Sequence, residues 1–218
     1  MAAVSVSYPS AGGIAVVTLA KEPVNSMSLD FWKELLAVLE ALEADKKVRA
    51  VVFQSGLKKS VFTAGLDIKE LYAPATSQAR QAEFWSTLSK VLVKIYTTPL
   101  ATAAAVKGQC PAGGCCLALC CDFRIITEDG AMGLNEVQLG IPVPSFWVEL
   151  FAATVGHRQA ELLLQRGDMV PAQRLLQLGM ADAVVRGPEE VLPAALQEMG
   201  AWLKFPDGGR VATKEVLR

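Results

Sequence analysis

The chain has 218 residues, of which 52% are hydrophobic and 20% are charged, and its 21 basic and 22 acidic side chains nearly cancel. This composition predicts one folded domain of ordinary size with a large core and excludes a disordered chain. Because no basic run occurs, we expect no nucleic-acid partner. The longest apolar stretches are too short to span a bilayer, so we expect no membrane span.

The first elements are predicted from local patterns. Alternating apolar and polar residues at 3–8 and 14–19, around the turn PSAGG, predict a β-hairpin. Apolar residues at helical spacing predict a helix over 29–43, with Ser28 as its N-cap. The β-branched run at 49–56 predicts a buried strand. The stretch VFTAGLDIKEL that follows is predicted to be a strand end, a tight turn and the start of a helix.

The rest of the chain continues the alternation of strands and helices. The predicted helices are at 78–97, 145–155, 157–166, 171–178 and 188–204, with a short one within 133–141 and a last one starting near the end. The predicted strands are at 99–108, 121–129 and 181–185. The early order of strand, strand and helix repeats about three times, which is typical of an α/β fold with helices covering a sheet.

All five cysteines fall within GQCPAGGCCLALCCDF, at positions 110, 115, 116, 120 and 121. A zinc site needs ligands that converge, usually as two separated C-x₂₋₄-C pairs, and the single histidine, His157, offers no partner. We therefore predict no metal site and interpret the cysteines as small buried apolar side chains in a reducing compartment.

Two glycine loops join a strand to the start of a helix, one at Ala112-Gly113-Gly114 and one at Thr63–Asp67. Free backbone N–H groups at such positions attract negative charge. Two loops of this kind can aim two donors at one oxygen, which is the design of an oxyanion hole. The alternative is that each glycine only permits a tight turn.

Glu136 lies in GLNEVQLGI, a stretch that is otherwise apolar or amide. A carboxylate in these surroundings either caps a local turn or has its pKa raised towards neutrality. The second state suits a proton shuttle at physiological pH. We expect Leu134, Val137, Phe146 and Trp147 to shield this carboxylate from water.

Taken together, VNSMSLDF, VFTAGLDIKEL, VKGQCPAGGCCLALCCDFRI and GLNEVQLGI resemble the crotonase (enoyl-CoA hydratase/isomerase) superfamily, over about residues 14–204. CPAGG and GLNEVQLGI are most similar to Δ3,Δ2-enoyl-CoA isomerases of the mitochondrial type. The resemblance implies a crotonase-like spiral of repeated ββα units with a helical C-terminal region. It implies a core domain at 1–204 and, at 205–218, the incomplete start of a trimerisation region.

The resemblance also implies roles for individual residues. Glu136 is the expected catalytic acid/base, and the N–H groups of Leu66 and Gly113 are the expected oxyanion hole. The residues expected to bind the acyl-CoA substrate are Ala64, Gly65, Leu66, Asp67, Ile68, Gly113 and Asn135. Hydratases of the superfamily carry a second glutamate where this chain has Cys116, and dienoyl-CoA isomerases carry a third acid where it has Pro144. One carboxylate therefore remains.

A single glutamate beside an oxyanion hole implies an isomerase that moves the double bond of 3-enoyl-CoA to trans-2-enoyl-CoA in unsaturated fatty-acid β-oxidation. The resemblance implies that the enzyme needs no cofactor, since CoA is part of the substrate. It also implies a homotrimer, and it implies the mitochondrial matrix as the location, with the peroxisome as the alternative. Two other functions stay open. One is hydration or thioester hydrolysis with a second residue such as Glu149, and the other is a non-catalytic acyl-CoA-binding or scaffold protein.

Overall fold

The computed structural model describes residues 2–9, 12–72 and 74–218. The strands are β1 (Val4–Ser7), β2 (Ile14–Leu19), β3 (Ala50–Ser55), β4 (Ala101–Val106), β5 (Gln109–Pro111), β6 (Phe123–Thr127), β7 (Ala131–Gly133), β8 (Val170–Pro171) and β9 (Ala183–Val185). The α-helices are α1 (Leu29–Ala44), α2 (Gln78–Thr97), α3 (Gly113–Cys120), α4 (Ser145–Val155), α5 (His157–Arg166), α6 (Ala172–Leu178), α7 (Pro188–Trp202) and α8 (Asp207–Leu217). None of the described helices is long and apolar enough to cross a membrane.

Six strands form the main sheet in the order β1-β2-β3-β4-β6-β9. β1 is antiparallel to β2, with Val4 opposite Leu19, and the other neighbouring pairs are parallel. Parallel strands need long crossovers, which α1, α2 and α3 provide. The carboxyl ends of β2, β3 and β4 therefore meet at one edge of the sheet. At that edge the connecting segments 20–28, 56–67 and 107–112 lie side by side.

Helices cover both faces of the main sheet, which explains why its central strands are continuous apolar runs. Successive side chains point to opposite faces. Val17 and Val51 pack into the core beneath α1, α2 and α3, whereas Val16 and Val52 pack against α7. The small side chains of Ala101, Ala103 and Ala105 in β4 complete the layer on which α7 rests.

Three short strands, β5, β7 and β8, form a second sheet that the sequence patterns did not predict. Each has only two or three residues, which is too few to show the alternation of a strand. β5 and β7 run parallel, with Pro111 opposite Gly133. As a result, the residues that follow each strand, 112–114 and 134–136, leave the small sheet at the same edge.

Most predicted helices are confirmed to within two residues, because each has an amphipathic period long enough to recognise. Ser28 caps α1 by accepting a hydrogen bond from the backbone N–H of Phe31. The N-terminal hairpin is confirmed as well, although Ser10 and Ala11 of its predicted turn lie outside the described residues.

The repeat of strand, strand and helix is irregular in its second unit. β3 is followed only by isolated bridges, from Val61 to Gln109 and from Leu66 to Met27. The helix predicted after Gly65 is a single 3₁₀ turn at Ile68–Glu70. The residues that replace a regular strand here are those of the first glycine loop.

Candidate active site

The two predicted glycine loops are in contact. Gly65 has φ +87°, which suits glycine, and a Cβ atom added there would lie 3.0 Å from Cβ of Ala112 and 3.3 Å from the carbonyl oxygen of Pro111. The backbone N–H of Phe62 donates a hydrogen bond to the carbonyl of Gln109 at 2.9 Å, which holds the loops side by side.

The Leu66 N–H is oriented by the peptide group to which it belongs. The carbonyl of Gly65 accepts a hydrogen bond from the N–H of Met27 at 2.9 Å, and the N–H of Asp67 donates to the carbonyl of Met27 at 3.1 Å. In a trans peptide the C=O and N–H point in opposite directions, so the Leu66 N–H points away from Met27. It donates to no acceptor within the part of the chain that the structure describes.

The Gly113 N–H is oriented in the same way. The carbonyl of Ala112 accepts from the N–H of Cys116 at 3.0 Å, as the first hydrogen bond of α3, so the Gly113 N–H points out of the helix. Among the described residues this N–H has no acceptor. Ala112 has φ 53° and ψ −126°, a backbone conformation that L-residues rarely adopt, and its own N–H donates to Gly133 at 2.8 Å. Such strained residues concentrate at functional sites.

Leu66 and Gly113 are direct neighbours. A Cβ atom added at Gly113 would lie 2.6 Å from Cδ2 of Leu66 and 3.5 Å from Cη2 of Trp147. Glycine at 113 therefore allows two apolar side chains to close over the start of α3. The structure thus places the free N–H groups of Leu66 and Gly113 on residues that contact each other in space. The apolar side chains of Leu66 and Trp147 lie beside them.

The small sheet brings Glu136 to the same place. Gly113 follows β5 and Glu136 follows the parallel strand β7, so both lie beyond the same edge of that sheet. Glu136 begins a 3₁₀ turn, Glu136–Leu139. Burial raises the pKa of the Cys115 and Cys116 thiols of α3, and the nearby Glu136 charge raises both further. The carboxylate thus lies near the first turn of α3.

Glu136 is a buried acid without a counter-ion or hydrogen-bond donor. Its exposed fraction is 3%, and neither carboxylate oxygen has a hydrogen-bond partner among the described residues. Burial raises its pKa from the ordinary 4.5 to about 7, with only its own backbone N–H acting in the opposite direction. At neutral pH this group can both accept and release a proton.

The shield that the sequence suggested around Glu136 is only partly present. Leu134 and Trp147 are buried, and Trp147 reaches Gly113. The prediction that Val137 belongs to this shield is wrong, since its side chain is 36% exposed and lies against Gly167. Phe146 is partly buried and stacks edge-on against Tyr96, with ring centroids 6.1 Å apart.

The remaining predicted binding residues flank these groups. Ala64 and Ile68 are exposed, and Asn135 is half-buried just before Glu136. Asp67 accepts a hydrogen bond from the N–H of Lys69 at 3.2 Å and lies 3.6 Å from Nζ of Lys21. An open cleft of about 530 Å³ adjoins this segment, and Lys21, Asp67, Lys69 and Arg80 are among its lining residues. Neither Glu136 nor Gly113 is among its lining residues, so this cleft does not enclose the acid.

The cysteines lie under the site rather than in it. All five are buried and free, Cys110 on β5 and the others on α3 or directly after it. No group of three or more histidine, cysteine or acidic side chains suited to a metal ion occurs among the described residues.

Asn25 is a buried residue of this region that sequence reasoning missed. Its backbone has φ 53°. Its side-chain Nδ2 donates hydrogen bonds to the carbonyls of Leu19 and Phe62 at 3.1 and 2.9 Å, and to Oγ of Ser55 at 3.1 Å. It thereby connects the segments that follow β2 and β3. Asn25 lies in KEPVNSMS, between a predicted strand and a predicted helix, and nothing in that stretch marks its role, because Ser55 and Phe62 are distant along the chain.

The sequence of this chain is similar to those of known proteins. Residues 10–218 match the enoyl-CoA hydratase/isomerase family. The mitochondrial enoyl-CoA delta isomerase 1 of Homo sapiens is 42% identical over 214 residues, which are 96% of this chain and 69% of the human protein. The protein of the same name from Mus musculus is 39% identical over 209 residues, which are 94% of this chain and 71% of the mouse protein.

The fold agrees with these matches. The crystal structure of human mitochondrial Δ3-Δ2-enoyl-CoA isomerase superposes with a TM-score of 0.94 at 39% identity, covering 100% of this chain and 83% of the human one. The family match spans both glycine loops and Glu136. The chain therefore belongs to the enoyl-CoA hydratase/isomerase family, the crotonases.

Proposed function

We propose that this protein is a Δ3,Δ2-enoyl-CoA isomerase, which converts 3-enoyl-CoA to trans-2-enoyl-CoA. The observation that carries the proposal is one buried carboxylate, Glu136, with a pKa of about 7, near two free N–H groups on adjacent residues. The human and mouse relatives are named enoyl-CoA delta isomerases, and the superposed human structure is that of a Δ3-Δ2-enoyl-CoA isomerase.

In the proposed reaction, Glu136 removes a proton from C2 of the 3-enoyl thioester. The electrons move into a dienolate, whose negative charge falls on the thioester oxygen. The N–H groups of Leu66 and Gly113 donate to that oxygen, and the protonated Glu136 then delivers its proton to C4. The double bond moves from C3–C4 to C2–C3, and the acid returns to its starting state.

The magnitudes suit this chemistry. Each N–H donor of an oxyanion hole typically contributes about 3 kcal/mol, and a positioned acid/base typically contributes about 10²–10⁴-fold in rate. A pKa near the working pH is favourable for a group that must first accept and then return the same proton. The apolar side chains of Leu66 and Trp147 limit water at the donors, which strengthens both hydrogen bonds.

The arrangement favours isomerisation over hydration. Water addition calls for a second group to position and activate the water, and Cys116 and Pro144 stand at the positions where other members of the superfamily carry further acids. Glu149, the alternative second carboxylate, is exposed on α4. The other buried carboxylate of the described residues, Glu70, is held by Arg80 at 2.7 Å. Neither Glu149 nor Glu70 is therefore a buried, unpaired acid like Glu136.

We further propose that the segment from Ala64 to Ile68, together with Asn135, contacts the acyl-CoA. The support for this proposal is that the segment carries the free Leu66 N–H and that its Asp67 lines the cleft together with Lys21 and Lys69.

The proposed reaction uses no cofactor besides the CoA of the substrate. We also propose the mitochondrial matrix as the location, since the human and mouse relatives are named as mitochondrial proteins. The homotrimer stays a prediction.

The decisive experiment compares wild type, Glu136→Gln and Glu149→Gln on a 3-enoyl-CoA and on a 2-enoyl-CoA. We expect wild type and Glu149→Gln to form the 2-enoyl thioester with little hydration, and Glu136→Gln to lose about 10³-fold in kcat. Hydration as the main activity of wild type would contradict the proposal. Binding of CoA thioesters without turnover of either substrate would favour a scaffold protein instead.

A further inference from the structure

We propose that Thr63 is a positioning residue, which holds the two proposed oxyanion donors in register with each other. The inference rests on the proposed function, because it assigns Leu66 and Gly113 to one oxyanion hole. Thr63 is fully buried in the described structure, begins the first glycine loop and packs against Gly114 of the second. Its hydroxyl acts on the first loop and its methyl group acts on the second.

The hydroxyl of Thr63 completes the hold on the Gly65 peptide groups. Oγ1 accepts a hydrogen bond from the N–H of Gly65 at 3.0 Å and donates one to the carbonyl of Asn25 at 2.7 Å. The carbonyl of Gly65 is held from the other side by the N–H of Met27. Both peptide groups of Gly65 are therefore fixed, and the second of them carries the Leu66 N–H.

This hold matters because of the backbone conformation of Gly65. With φ +87°, glycine has access to neighbouring conformations that other residues lack, so the peptide on either side can rotate unless it is bound. Rotation of the Gly65–Leu66 peptide would turn the Leu66 N–H away from the thioester oxygen. The Met27 N–H holds this peptide group, and the Thr63 hydroxyl holds the Ala64–Gly65 peptide group before it, so the two hydrogen bonds together remove the freedom of Gly65.

The methyl group of Thr63 meets the second loop. A Cβ atom added at Gly114 would overlap Cγ2 of Thr63, so the methyl group occupies the space that glycine leaves at the first turn of α3. The backbone N–H of Thr63 also approaches the carbonyl of Gln109, at 3.4 Å. The Thr63 side chain thus contacts Gly65, which precedes Leu66 in the first loop, and Gly114, which follows Gly113 in the second.

Substitutions can separate the hydroxyl from general packing. Valine keeps the shape of threonine but leaves the Gly65 N–H and the Asn25 carbonyl without their partner, and serine keeps the hydroxyl. Thr102 provides a matched control, since it is also fully buried and its hydroxyl donates to Asp122 at 3.1 Å and accepts from the Asp122 N–H at 3.0 Å. Thr102→Val therefore removes an equivalent pair of hydrogen bonds away from the glycine loops.

The test measures kcat and KM of wild type, Thr63→Val, Thr63→Ser and Thr102→Val at a temperature where all are folded by circular dichroism. A displaced donor weakens binding of the transition state more than binding of the substrate. We expect Thr63→Val to lose about 10-fold or more in kcat with KM nearly unchanged. We expect Thr63→Ser and Thr102→Val to stay within about threefold of wild type.

A second readout does not depend on turnover. The C=O stretching frequency of a bound saturated acyl-CoA reports how strongly the two N–H groups polarise the thioester. We expect a shift to lower frequency in wild type and Thr63→Ser, and a smaller shift in Thr63→Val. If wild type shows this shift without isomerising 3-enoyl-CoA, the proposed function fails and the positioning role stands.

Three results would overturn the role of Thr63. They are a folded Thr63→Val with kcat within about threefold of wild type and an unchanged carbonyl shift, a Thr63→Ser as impaired as Thr63→Val, and a Thr102→Val as impaired as Thr63→Val. The first would show that Gly65 holds its conformation without the hydroxyl. The second would show that the loss is not specific to the hydroxyl, because serine keeps it, and the third that general destabilisation lowers kcat.

Discussion

Glu136 combines deep burial with the absence of any partner for its carboxylate oxygens in the described chain. Elsewhere in the molecule the buried acid Glu70 accepts from the N–H of Leu29 and binds Arg80, and these partners lower its pKa despite the opposing effect of burial. The two glutamates show that burial alone does not set the charge state. Burial raises the pKa of Glu136 to about 7 because no cation faces it and only its own backbone N–H favours the anion.

The pH dependence of the reaction follows from this difference. Because the base must be ionised to remove the C2 proton, kcat/KM of wild type should fall about tenfold per pH unit below a midpoint of about 7 and level off above it. Steady-state rates on a 3-enoyl-CoA from about pH 5 to about pH 9 would measure this profile. Glu149→Gln should reproduce it, because Glu149 is exposed. A midpoint near the ordinary value of 4.5 would mean that Glu136 is solvated or is not the base.

At the scale of elements, two short parallel strands determine where the groups of the proposed reaction lie. β5 and β7 each have three residues, yet they deliver Gly113 and Glu136 to one edge. α3 then begins directly at the glycine pair, and its cysteines pack inward as small apolar side chains. This close seat explains why the second glycine, Gly114, has no room for a side chain.

Gly114→Ala tests the seat of α3 on the first glycine loop. The new methyl group overlaps Cγ2 of Thr63, so α3 and the loop must separate, and we expect a loss of about 1–3 kcal/mol in unfolding free energy together with most of the activity. Adding Thr63→Ser removes that methyl group and should restore part of both. Urea unfolding and isomerase assays on the single and double variants would measure this coupling.

Independent, additive effects of Gly114→Ala and Thr63→Ser would contradict the contact. Full recovery is not expected. Sγ of Cys110 would still lie 3.3 Å from the added Cβ atom, closer than an ordinary van der Waals contact.

At the scale of the whole molecule, Asp122 is one of the acids that attach α8 to the main sheet, and Asp207 of α8, which binds Arg49 at 2.6 Å, is another. Asp122, which precedes β6, lies 2.8 Å from Nζ of Lys214 and 3.1 Å from the guanidinium of Arg218, and it accepts hydrogen bonds from the N–H and hydroxyl of Thr102. Lys214 and Asp122 each have side chains only 9% exposed. A buried ion pair of this kind is costly to break from one side.

Asp122→Asn should therefore destabilise the protein by about 3 kcal/mol, because Lys214 and Arg218 lose their counter-ion. Lys214→Met should lose less than about 1 kcal/mol, since Asp122 keeps Arg218 and Thr102 while an apolar side chain fills the space. Chemical unfolding monitored by circular dichroism would compare the two. Equal losses would show that α8 is held by packing rather than by charge.

Much of the fold was predictable from the sequence because its signals are local. The amphipathic helices α1, α2, α4 and α5, the N-cap Ser28 and the buried strands of the main sheet were recognised by spacing and composition. The small sheet was not, since β5, β7 and β8 are too short to carry a period, and neither was the reduction of the helix after Gly65 to a single 3₁₀ turn.

For the site, the sequence by itself determined the chemical types: two glycine loops and one acid in an apolar stretch. Through the family resemblance it also gave the expectation that Leu66, Gly113 and Glu136 act together. Only the tertiary structure decided which N–H groups are free, that Glu136 has no partner among the described residues, and that Thr63 binds Asn25 across 38 positions. Hydrogen bonds and burial depend on which segments the sheets bring together. That information is absent from any one stretch of the chain.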